Sequence, residues 1–405
     1  IVISDVVCEK LVRLIPVSFH DKIVRIGHHD AHLGNLLAFS PKDLDQCLFA
    51  IFDGYGDGLS AITGKYQNGK YEIYSKISQK NSLGLIYTAA SSHIGFGSFG
   101  NEGKMQGLSS FGKYVSQFSI KDHISIDGLL INVSDEICNE SEWKNQELYS
   151  EISLGYNSFF GKVIEKRFPD EQLDLEKHAD FAHTIQLDIA NAINSLIENL
   201  TSSFNVKNSP QKELPVLIGG GIAQNSSIIN YLSKKLNNNR IFTTTSCSDR
   251  GNSLGALQIY LLKNGGSPGI SSNPYLGALP GDKDLLSNNL RLISKASTCI
   301  DSASELISNG EIIATCLGRA EYGSRALGHR SILCSAKVEN ISHFLNLNVK
   351  HRESFRPFAP IILHEYAKKF IALGDEVNYM TRCFDIPSTL KLKIPEAVHV
   401  DGTSR

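Results

Sequence analysis

The chain has 405 residues, with 40 Lys and Arg residues against 42 Asp and Glu residues, and 41% of its residues are hydrophobic. This composition is typical of a soluble globular protein with about two domains. The formal net charge of −2 gives no overall field that would attract nucleic acid, and no apolar run approaches the roughly 18 residues of a membrane-spanning helix. We therefore expect neither nucleic-acid binding nor membrane insertion.

The eight cysteines are scattered, and none belongs to a Cys-x-x-Cys pair. This pattern disfavours a disulfide framework or a zinc ribbon and favours a reducing, cytoplasmic location. The chain begins at Ile1 without an initiator Met and stops at Arg405, shortly after an apolar segment. We expect a fragment that lacks sequence at both ends.

The first part of the chain has the pattern of an α/β protein. Residues 23–26 predict a short strand, residues 47–52 a buried strand, and residues 60–77 two strands joined by a hairpin turn at Asn68-Gly69. Residues 181–200 have apolar side chains at helical spacing without Pro or Gly, which predicts a core helix.

In two later passages a glycine-containing turn leads into a predicted helix, and in the first of them a predicted strand precedes the turn. A predicted strand at residues 214–218 runs into Gly219-Gly220-Gly221 and a helix-compatible stretch that starts at Asn225. The second passage leads from Asp249 into a predicted helix at residues 257–262. Such a strand–turn–helix order is favourable for binding phosphates.

The composition changes after the second passage. Residues 264–283 are rich in Gly and Pro, which predicts a linker. We therefore predict a first domain at residues 1–263 and a second, again mixed α/β, at residues 284–405. A strand at residues 312–317 belongs to this second domain.

Two histidines stand four residues apart in the segment His28-His29-Asp30-Ala31-His32. On a helix this spacing puts both imidazoles on one face, where both reach one cation. Asp53 follows the predicted buried strand, and Asp249 precedes a glycine-containing turn. Two imidazoles with one or two carboxylates suit Fe²⁺, Mn²⁺ or Zn²⁺. We hypothesise one divalent-metal site formed by these four side chains; the alternative is a histidine pair that is either at the surface or satisfied by ordinary hydrogen bonds.

Glycines mark two further candidate binding segments. Gly219-Gly220-Gly221 with Asn225 can bring backbone N–H groups close to a nucleotide, but a plain turn with Asn225 as a helix cap has the same sequence. Residues 53–58, Asp-Gly-Tyr-Gly-Asp-Gly, predict either a hairpin turn or a metal and phosphate loop. Lys104 lies near glycines that would allow its ammonium to reach a phosphate; a solvated surface lysine is the alternative.

Arginines are concentrated in the second predicted domain, where five of the thirteen in the chain lie between residues 318 and 357. Arginine binds planar oxyanions through paired N–H groups, whereas a solvated basic helix face has a similar composition. The interleaved Gly318, Gly323 and Gly328 favour a folded loop, and the lack of interleaved aromatic residues disfavours single-stranded nucleic acid. A small phosphorylated ligand is the better hypothesis. The five are Arg319, Arg325, Arg330, Arg352 and Arg356.

Together these segments resemble the ATP-dependent O-carbamoyltransferases of antibiotic biosynthesis and nodulation-factor modification. The matching segments occur in the family's order over almost the whole chain, and the run from Gly318 to Leu333 is the most specific. The segments are His28-His29-Asp30-Ala31-His32, Phe52-Asp53-Gly54, residues 104–108, 220–225, 249–255, 318–333 and 350–358, and His399-Val400-Asp401-Gly402-Thr403.

The resemblance implies an actin/hexokinase-like ATPase domain, related to the tRNA threonylcarbamoyl-transfer proteins, followed by part of a domain similar to threonylcarbamoyl-adenylate synthases. It implies that carbamoyl phosphate and ATP give carbamoyl adenylate and pyrophosphate. The carbamoyl group then passes to a hydroxyl of a sugar or another natural product. The implied cofactor is a divalent metal, usually iron, with ATP as co-substrate, accompanied by Mg²⁺, and a homodimer is expected at the family level.

The resemblance also assigns roles to residues of this sequence. The implied catalytic residues are His28, His32, Asp53 and Lys104. The implied metal ligands are His28, His32, Asp53 and Asp249. The implied nucleotide-binding residues are Gly220, Gly221 and Asn225. The implied carbamoyl phosphate pocket consists of Arg319, Arg325, Arg330, Lys350, Arg352 and Arg356.

The sequence departs from the family pattern at two positions of the arginine-rich run. Ser324 replaces the usual Pro, and His329 replaces the usual Asn. We also expect the family's opening Gly-His-Asp segment and its closing Asn-Thr-Ser-Phe-Asn-type strand to be missing. Two other functions stay open at this point: a sugar-kinase-like phosphotransferase, which would release ADP, and a catalytically incomplete paralogue that binds nucleotide or metal without turnover.

Overall fold

A computed structural model describes residues 16–41, 44–97, 99–138, 154–205, 214–236, 241–267, 273–280, 296–370 and 379–405. The chain divides into two compact units between residues 272 and 273. Each unit contains both helices and strands, in agreement with the predicted mixed α/β class. The domain boundary predicted near residue 283 and part of the predicted linker lie outside the described residues.

The described residues of the first unit form seven helices and seven strands. The helices are α1 (His28–Phe39), α2 (Leu83–His93), α3 (Glu102–Ser109), α4 (Leu154–Val163), α5 (Leu175–Asn205), α6 (Ser226–Lys235) and α7 (Asn252–Lys263). The strands are β1 (Gln46–Gly56), β2 (Leu59–Gln67), β3 (Lys70–Ser78), β4 (Ile124–Asp127), β5 (Leu130–Val133), β6 (Val216–Gly219) and β7 (Ile241–Phe242).

Five strands of the first unit form one sheet in the order β3-β2-β1-β6-β7. β1 and β2, and β2 and β3, are antiparallel, whereas β6 runs parallel to β1 and β7. Residues 47–52 of β1 are buried on both faces, which confirms the predicted buried strand. The predicted hairpin turn between β2 and β3 is also confirmed, because Asn68 and Gly69 have left-handed φ angles of 49° and 78°.

Helices cover this sheet. Leu33 and Leu37 of α1 and Ile259 of α7 share one apolar core with alternate residues of β1, Phe49 and Ile51. Helix α5 contains the core helix predicted at residues 181–200 and packs against α2, α3 and α6. The clearest periodic pattern in the sequence thus corresponds to the longest helix among the described residues.

Two strand predictions need correction. The strand predicted at residues 23–26 is wrong, because these residues pair with no strand in the described part of the chain. Of its side chains Ile26 is buried, whereas Val24 is 42% exposed, so the run lacks a buried face. The strand predicted at residues 312–317 is shortened to two residues, Ile313–Ala314.

The second unit has shorter elements. Its described helices are α8 (Ala296–Ser308), α9 (Ile341–Phe344), α10 (His364–Phe370) and α11 (Ser388–Lys391). Its described strands form two antiparallel pairs, β8 (Ile313–Ala314) with β9 (Ile332–Leu333) and β10 (Phe384–Asp385) with β11 (Thr403–Ser404). Throughout the described residues of both units, no helix has the length and apolar character required to cross a membrane.

Helices α1 and α7 approach each other at two glycines. A Cβ added to Gly255 would lie 1.7 Å from the carbonyl oxygen of Ala31, and one added to Gly34 would lie 2.0 Å from the carbonyl oxygen of Gly255. Backbone atoms cannot move aside as a flexible side chain can. Glycine at both positions is therefore required for this helix crossing.

We expect Gly255→Ala to lower the free energy of unfolding by about 1–3 kcal/mol or more, because the added methyl group forces the two helices apart. Gly161→Ala in α4 is the matched control, since a Cβ there meets no atom within 4 Å. This control should stabilise the protein by about 0.5–1 kcal/mol. Urea denaturation measures both values; equal stability of the two variants would contradict the packing argument.

Candidate functional site

The four proposed metal ligands lie together in the first unit. One ligand atom from each of His28, His32, Asp53 and Asp249 lies within 4.8 Å of the other three. The two Nε2 atoms of the histidines are 3.2 Å apart. Oδ2 of Asp53 lies 2.8 Å from Nε2 of His28 and 3.3 Å from Nε2 of His32, while Oδ1 of Asp249 lies 3.3 and 3.2 Å from the same atoms.

Three separate elements bring these side chains together. The first residue of α1 is His28, so His32 follows one turn later on the same face. Asp53 lies in β1 where the pairing with β2 is irregular, between Phe52 and Gly56, and such an irregularity redirects a side chain. The 3₁₀ turn Asp249–Gly251 leads directly into α7. The α1–α7 contact therefore sets the distance between the histidines and Asp249.

The tight turn between β1 and β2 supports His28. The carboxylate of Asp57 accepts a hydrogen bond from the backbone N–H of His28 at 2.7 Å. A Cβ on Gly56 would lie 2.2 Å from the imidazole of His28, so the strand fits closely against this ring. Asp57 and Gly58 have left-handed φ angles of 52° and 76°, so the hairpin turn within the predicted segment 53–58 lies at these two residues, while the proposed metal and phosphate role of the segment stays a prediction. The sequence marked this turn but not its contact with His28.

The same aspartate contacts the glycine turn after β6. Oδ1 of Asp53 accepts a hydrogen bond from the backbone N–H of Gly221 at 2.9 Å. Gly220 has a φ of 83°, and a Cβ there would lie 2.0 Å from the carbonyl oxygen of Phe52. Only glycine fits at this position. Two of the three proposed nucleotide-binding residues therefore lie directly beside the proposed metal ligand Asp53.

The third, Asn225, caps helix α6. Its Oδ1 accepts hydrogen bonds from the backbone N–H groups of Ser227 and Ile228, both at 3.2 Å. Its Nδ2 donates to the side-chain oxygen of Gln186 on α5 at 2.9 Å. Gln186 was missed by the sequence analysis, because it lies 39 residues away and no local pattern marks it.

Lys104 lies on helix α3 and is half-buried. It is not one of the four residues whose ligand atoms converge. Its helix nevertheless approaches the start of α6, because Nε2 of the buried Gln106 donates to the hydroxyl of Ser226 at 2.8 Å. The proposed phosphate contact of Lys104 stays a prediction.

The charges at the four-residue cluster stabilise each other. Burial opposes protonation of His28, but hydrogen bonds and charge attraction from Asp249 and Asp53 outweigh it and raise the pKa of His28 to about 10. Burial also opposes ionisation of Asp53, yet the two histidines hold the pKa of this carboxyl well below its usual value. Burial and the neighbouring His28 and His32 lower the pKa of His29 to about 4.

The donor set of the cluster fits a divalent cation. Its converging atoms are two imidazole nitrogens and two carboxylate oxygens, a mixture that suits Fe²⁺, Mn²⁺ or Zn²⁺. Each imidazole Nε2 lies 3.2 Å from the other and within 3.3 Å of one oxygen of Asp53 and one of Asp249, so a cation placed among these atoms would meet all four donors. The side chain of Asp249 is 70% exposed, so one side of the cluster is open to solvent.

In the second unit, Arg319, Arg325 and Arg330 lie in the irregular segment before β9. Nη1 of Arg330 donates to the carbonyl oxygen of Leu317 at 2.8 Å, and Nη1 of Arg319 donates to that of Gly277 at 3.1 Å. These two arginines therefore hold backbone segments in place. The sequence patterns did not indicate this structural role.

A carboxylate that the sequence analysis missed organises this segment. Oε1 of Glu321 accepts hydrogen bonds from the backbone N–H groups of Leu327, His329 and Arg330 at 2.7, 2.9 and 3.1 Å. The ring of His329 stacks on Tyr275, with centroids 3.6 Å apart. The segment is thus folded by its own contacts, as the interleaved glycines predicted.

The segment after α9 carries the remaining basic residues. The guanidinium of Arg352 lies over the ring of Phe358, 4.8 Å from its centroid. Burial, followed by repulsion from Arg356 and Arg405, lowers the pKa of Arg352 to about 10. Lys350 is exposed in the same segment. The structure therefore gathers positive charge at Arg352.

Comparison with known families identifies the chain. The model of the carbamoyltransferase N-terminus matches residues 3–257, and that of the carbamoyltransferase C-terminus matches residues 304–405. These matches cover most of the chain, which therefore belongs to the carbamoyltransferase family.

Curated relatives include nodulation proteins. The chain is 24% identical over 402 residues to nodulation protein NolNO of Sinorhizobium fredii, and this alignment covers 95% of the chain and 54% of NolNO. It is 26% identical over 399 residues to nodulation protein NolO of Bradyrhizobium diazoefficiens, covering 94% of the chain and 66% of the relative. A shorter match to nodulation protein U of Rhizobium tropici is 41% identical over 113 residues, which cover 27% of this chain and 19% of that protein. The chain spans about half to two thirds of the length of NolNO and NolO.

Solved structures with partial similarity include two proteins. The activator of the 2-hydroxyisocaproyl-CoA dehydratase from Clostridium difficile aligns with a TM-score of 0.33 and 13% identity, over 59% of this chain and 67% of the activator. HypF of T. kodakarensis aligns with a TM-score of 0.33 and 15% identity, over 62% of this chain and 38% of HypF.

We expect His28→Ala and His32→Ala each to weaken binding of a divalent metal by about 10- to 100-fold or more. Loss of a residue that only supports a metal ligand already has an effect of this size, and these histidines are proposed to bind the metal directly. His123→Ala is the control, since His123 bonds to Ser134 away from the cluster. Metal content after dialysis, measured by mass spectrometry, and titration with Mn²⁺ test this. Stoichiometric metal in the His28→Ala protein would refute the proposed site.

Metal binding should release protons and weaken as the pH falls. With a pKa of about 10, His28 is protonated at neutral pH in the metal-free protein, and a metal must displace that proton. Affinity should therefore rise between pH 6 and pH 8. Titration calorimetry in two buffers of different ionisation enthalpy measures the released protons; a pH-independent affinity between pH 6 and 8 would contradict this.

Proposed function

We propose that the chain takes part in the transfer of a carbamoyl group to a hydroxyl of a sugar or another natural product, with carbamoyl phosphate and ATP as the other substrates. The observation that carries this proposal is the four-residue cluster of His28, His32, Asp53 and Asp249 in a member of the carbamoyltransferase family. The basic segments lie in the second unit, which contains the second family match.

The proposed reaction has an activation stage. Water releases carbamate and inorganic phosphate from carbamoyl phosphate, and a carbamate oxygen attacks the α-phosphorus of ATP. The products of this attack are carbamoyl adenylate and pyrophosphate. Activation is needed because carbamate is a poor acyl donor, whereas AMP is a good leaving group.

In the transfer stage, the acceptor hydroxyl attacks the carbamoyl carbon, loses its proton and displaces AMP. A divalent metal held by the two histidines and two aspartates would stabilise negative charge on phosphate and carbonyl oxygens. Iron is the first candidate, with Mn²⁺ or Zn²⁺ as alternatives. Mg²⁺ accompanies ATP. The proposal makes His28, His32, Asp53 and Lys104 the catalytic set.

The protein residues divide between the two stages. Gly220, Gly221 and Asn225 are proposed to bind the adenosine side of the nucleotide, through the backbone of the glycine turn and the start of α6. Lys104 is proposed to contact a phosphate. The carbamoyl phosphate pocket is proposed to consist of Arg319, Arg325, Arg330, Lys350, Arg352 and Arg356.

The proposal also concerns the type of each domain, the cellular location and the oligomeric state. We propose that residues 1–263 are an actin/hexokinase-like carbamoyl-transfer domain and that residues 284–405 belong to a domain similar to threonylcarbamoyl-adenylate synthases. The proposed setting is the reducing cytoplasm, which is supported by free cysteines at the seven positions that the structure describes. A homodimer is proposed, with no nucleic-acid or membrane partner.

We expect ATP turnover by the purified protein, supplied with Mg²⁺ and the divalent metal, to give pyrophosphate only when carbamoyl phosphate is present. Asp249→Asn should retain pyrophosphate formation, because it alters the transfer site, whereas Arg356→Ala should reduce it about tenfold or more through loss of a charged contact. Chromatography of nucleotides and a pyrophosphate assay measure the products. ADP as the product would favour a kinase, and metal binding without turnover would favour an incomplete paralogue.

A further inference from the structure

Asn346 is a buried polar residue of the second unit. It lies in the π-helical turn Leu345–Val349, which follows α9 and directly precedes the segment with Lys350, Arg352 and Arg356. Its relative exposure is 0%. A buried amide is stable only where its donors and acceptors have partners, so its contacts show what it holds.

These contacts all reach the basic segment. Nδ2 of Asn346 donates to the carbonyl oxygens of Ser354 and Arg356 at 3.0 and 2.9 Å. Its Oδ1 accepts a hydrogen bond from Nε of Arg352 at 2.7 Å. Its backbone carbonyl accepts the N–H of Arg352 at 2.9 Å. One side chain thus fixes both the backbone of the segment and the guanidinium of Arg352.

The segment is held in a conformation that it does not favour locally. His351 has a φ of 46°, in the left-handed region that residues other than glycine rarely adopt. Such a conformation persists where surrounding contacts impose it. Asn346 supplies contacts of this kind. It bonds to Arg352, the neighbour of His351, and to the backbone at Ser354 and Arg356.

Positive charges outnumber negative ones around Arg352. Its guanidinium lies close enough to Arg356 and Arg405 for their charges to repel, whereas the single carboxylate of Glu353 attracts it and lies 3.9 Å from Nη1 of Arg356. An amide holds a guanidinium without neutralising it, whereas a carboxylate would cancel its charge. The neutral side chain of Asn346 therefore holds Arg352 without cancelling its charge.

We propose that Asn346 is a positioning residue that fixes the guanidinium of Arg352 and the backbone at Arg356, so that this segment binds a phosphate group. This inference rests on the proposed function, in which these arginines bind carbamoyl phosphate. Asn346 acts through the two arginines and does not itself contact the ligand.

The test is calorimetric titration of the purified protein with inorganic phosphate. Asn346→Ala should weaken binding about tenfold or more, because a hydrogen bond to a charged group is lost. Asn346→Asp should weaken it at least as much, since a carboxylate neutralises Arg352 and cannot donate to the two carbonyl groups. Thermal unfolding is recorded for each variant to check that it folds. If Asn346→Ala does not fold, the phosphate affinity of Asn346→Asp serves as the test.

Asn348 offers a matched control on the same π-helical turn. It is exposed, and its side chain donates to the carbonyl oxygen of Phe344 at 3.2 Å. Asn348→Ala and Asn348→Asp repeat the same chemical changes two residues away. Each should change phosphate affinity less than about threefold, so equal effects at both positions would overturn the proposal.

A double-mutant cycle separates positioning from a general structural role. Adding Asn346→Ala to the Arg352→Ala protein should weaken phosphate binding by less than about twofold relative to Arg352→Ala alone. Full additivity, unchanged affinity in both Asn346 variants, or a folded wild type that does not bind phosphate would each overturn the proposal. Phosphate binding that depends on Asn346, without carbamoyl-phosphate-dependent pyrophosphate formation, would instead reject the proposed reaction and leave the positioning role intact.

Discussion

The close backbone contact between α1 and α7 is the constraint on which the candidate metal centre depends. Gly34 and Gly255 allow the two helices to approach to a distance that any side chain at these positions would prevent. Two ligands stand at the start of α1, and Asp249 stands just before α7. Because rigid helices transmit their spacing along their length, the packing of two glycines fixes the geometry of charged groups elsewhere on the same helices.

The sheet supplies the remaining ligand in a different way. β1 is buried along most of its length, and its pairing with β2 becomes irregular after Phe52. The irregularity places Asp53 against the histidines, while the tight turn at Asp57 returns to hold the backbone of His28. A buried strand and its hairpin thus provide both a ligand and the support for another ligand.

Local patterns predicted much of this arrangement. The apolar run of β1, the Asn68-Gly69 turn and the periodicity of α5 each reflect neighbouring residues, and each was predicted correctly. The strand predicted at residues 23–26 was wrong, because these residues pair with none of the described strands. The grouping of the four proposed ligands was hypothesised from the helical spacing of the two histidines, from Asp53 after the predicted strand at residues 47–52, and from Asp249 before a glycine-containing turn. The supporting residues Gln186, Glu321 and Asn346 were not predicted, because their partners are set by tertiary folding or by an irregular loop rather than by periodicity.

The two oxygens of Asp53 serve two neighbours, with Oδ2 toward the histidines and Oδ1 bonded to the N–H of Gly221. A shift of this carboxylate toward one neighbour alters its bond to the other. Thermodynamic reciprocity then applies: whatever a ligand at the glycine turn does to the affinity for the cation, the cation does to the affinity for that ligand by the same factor. For the proposed cation and nucleotide, the shared carboxylate would therefore couple binding at the cluster to binding at the turn.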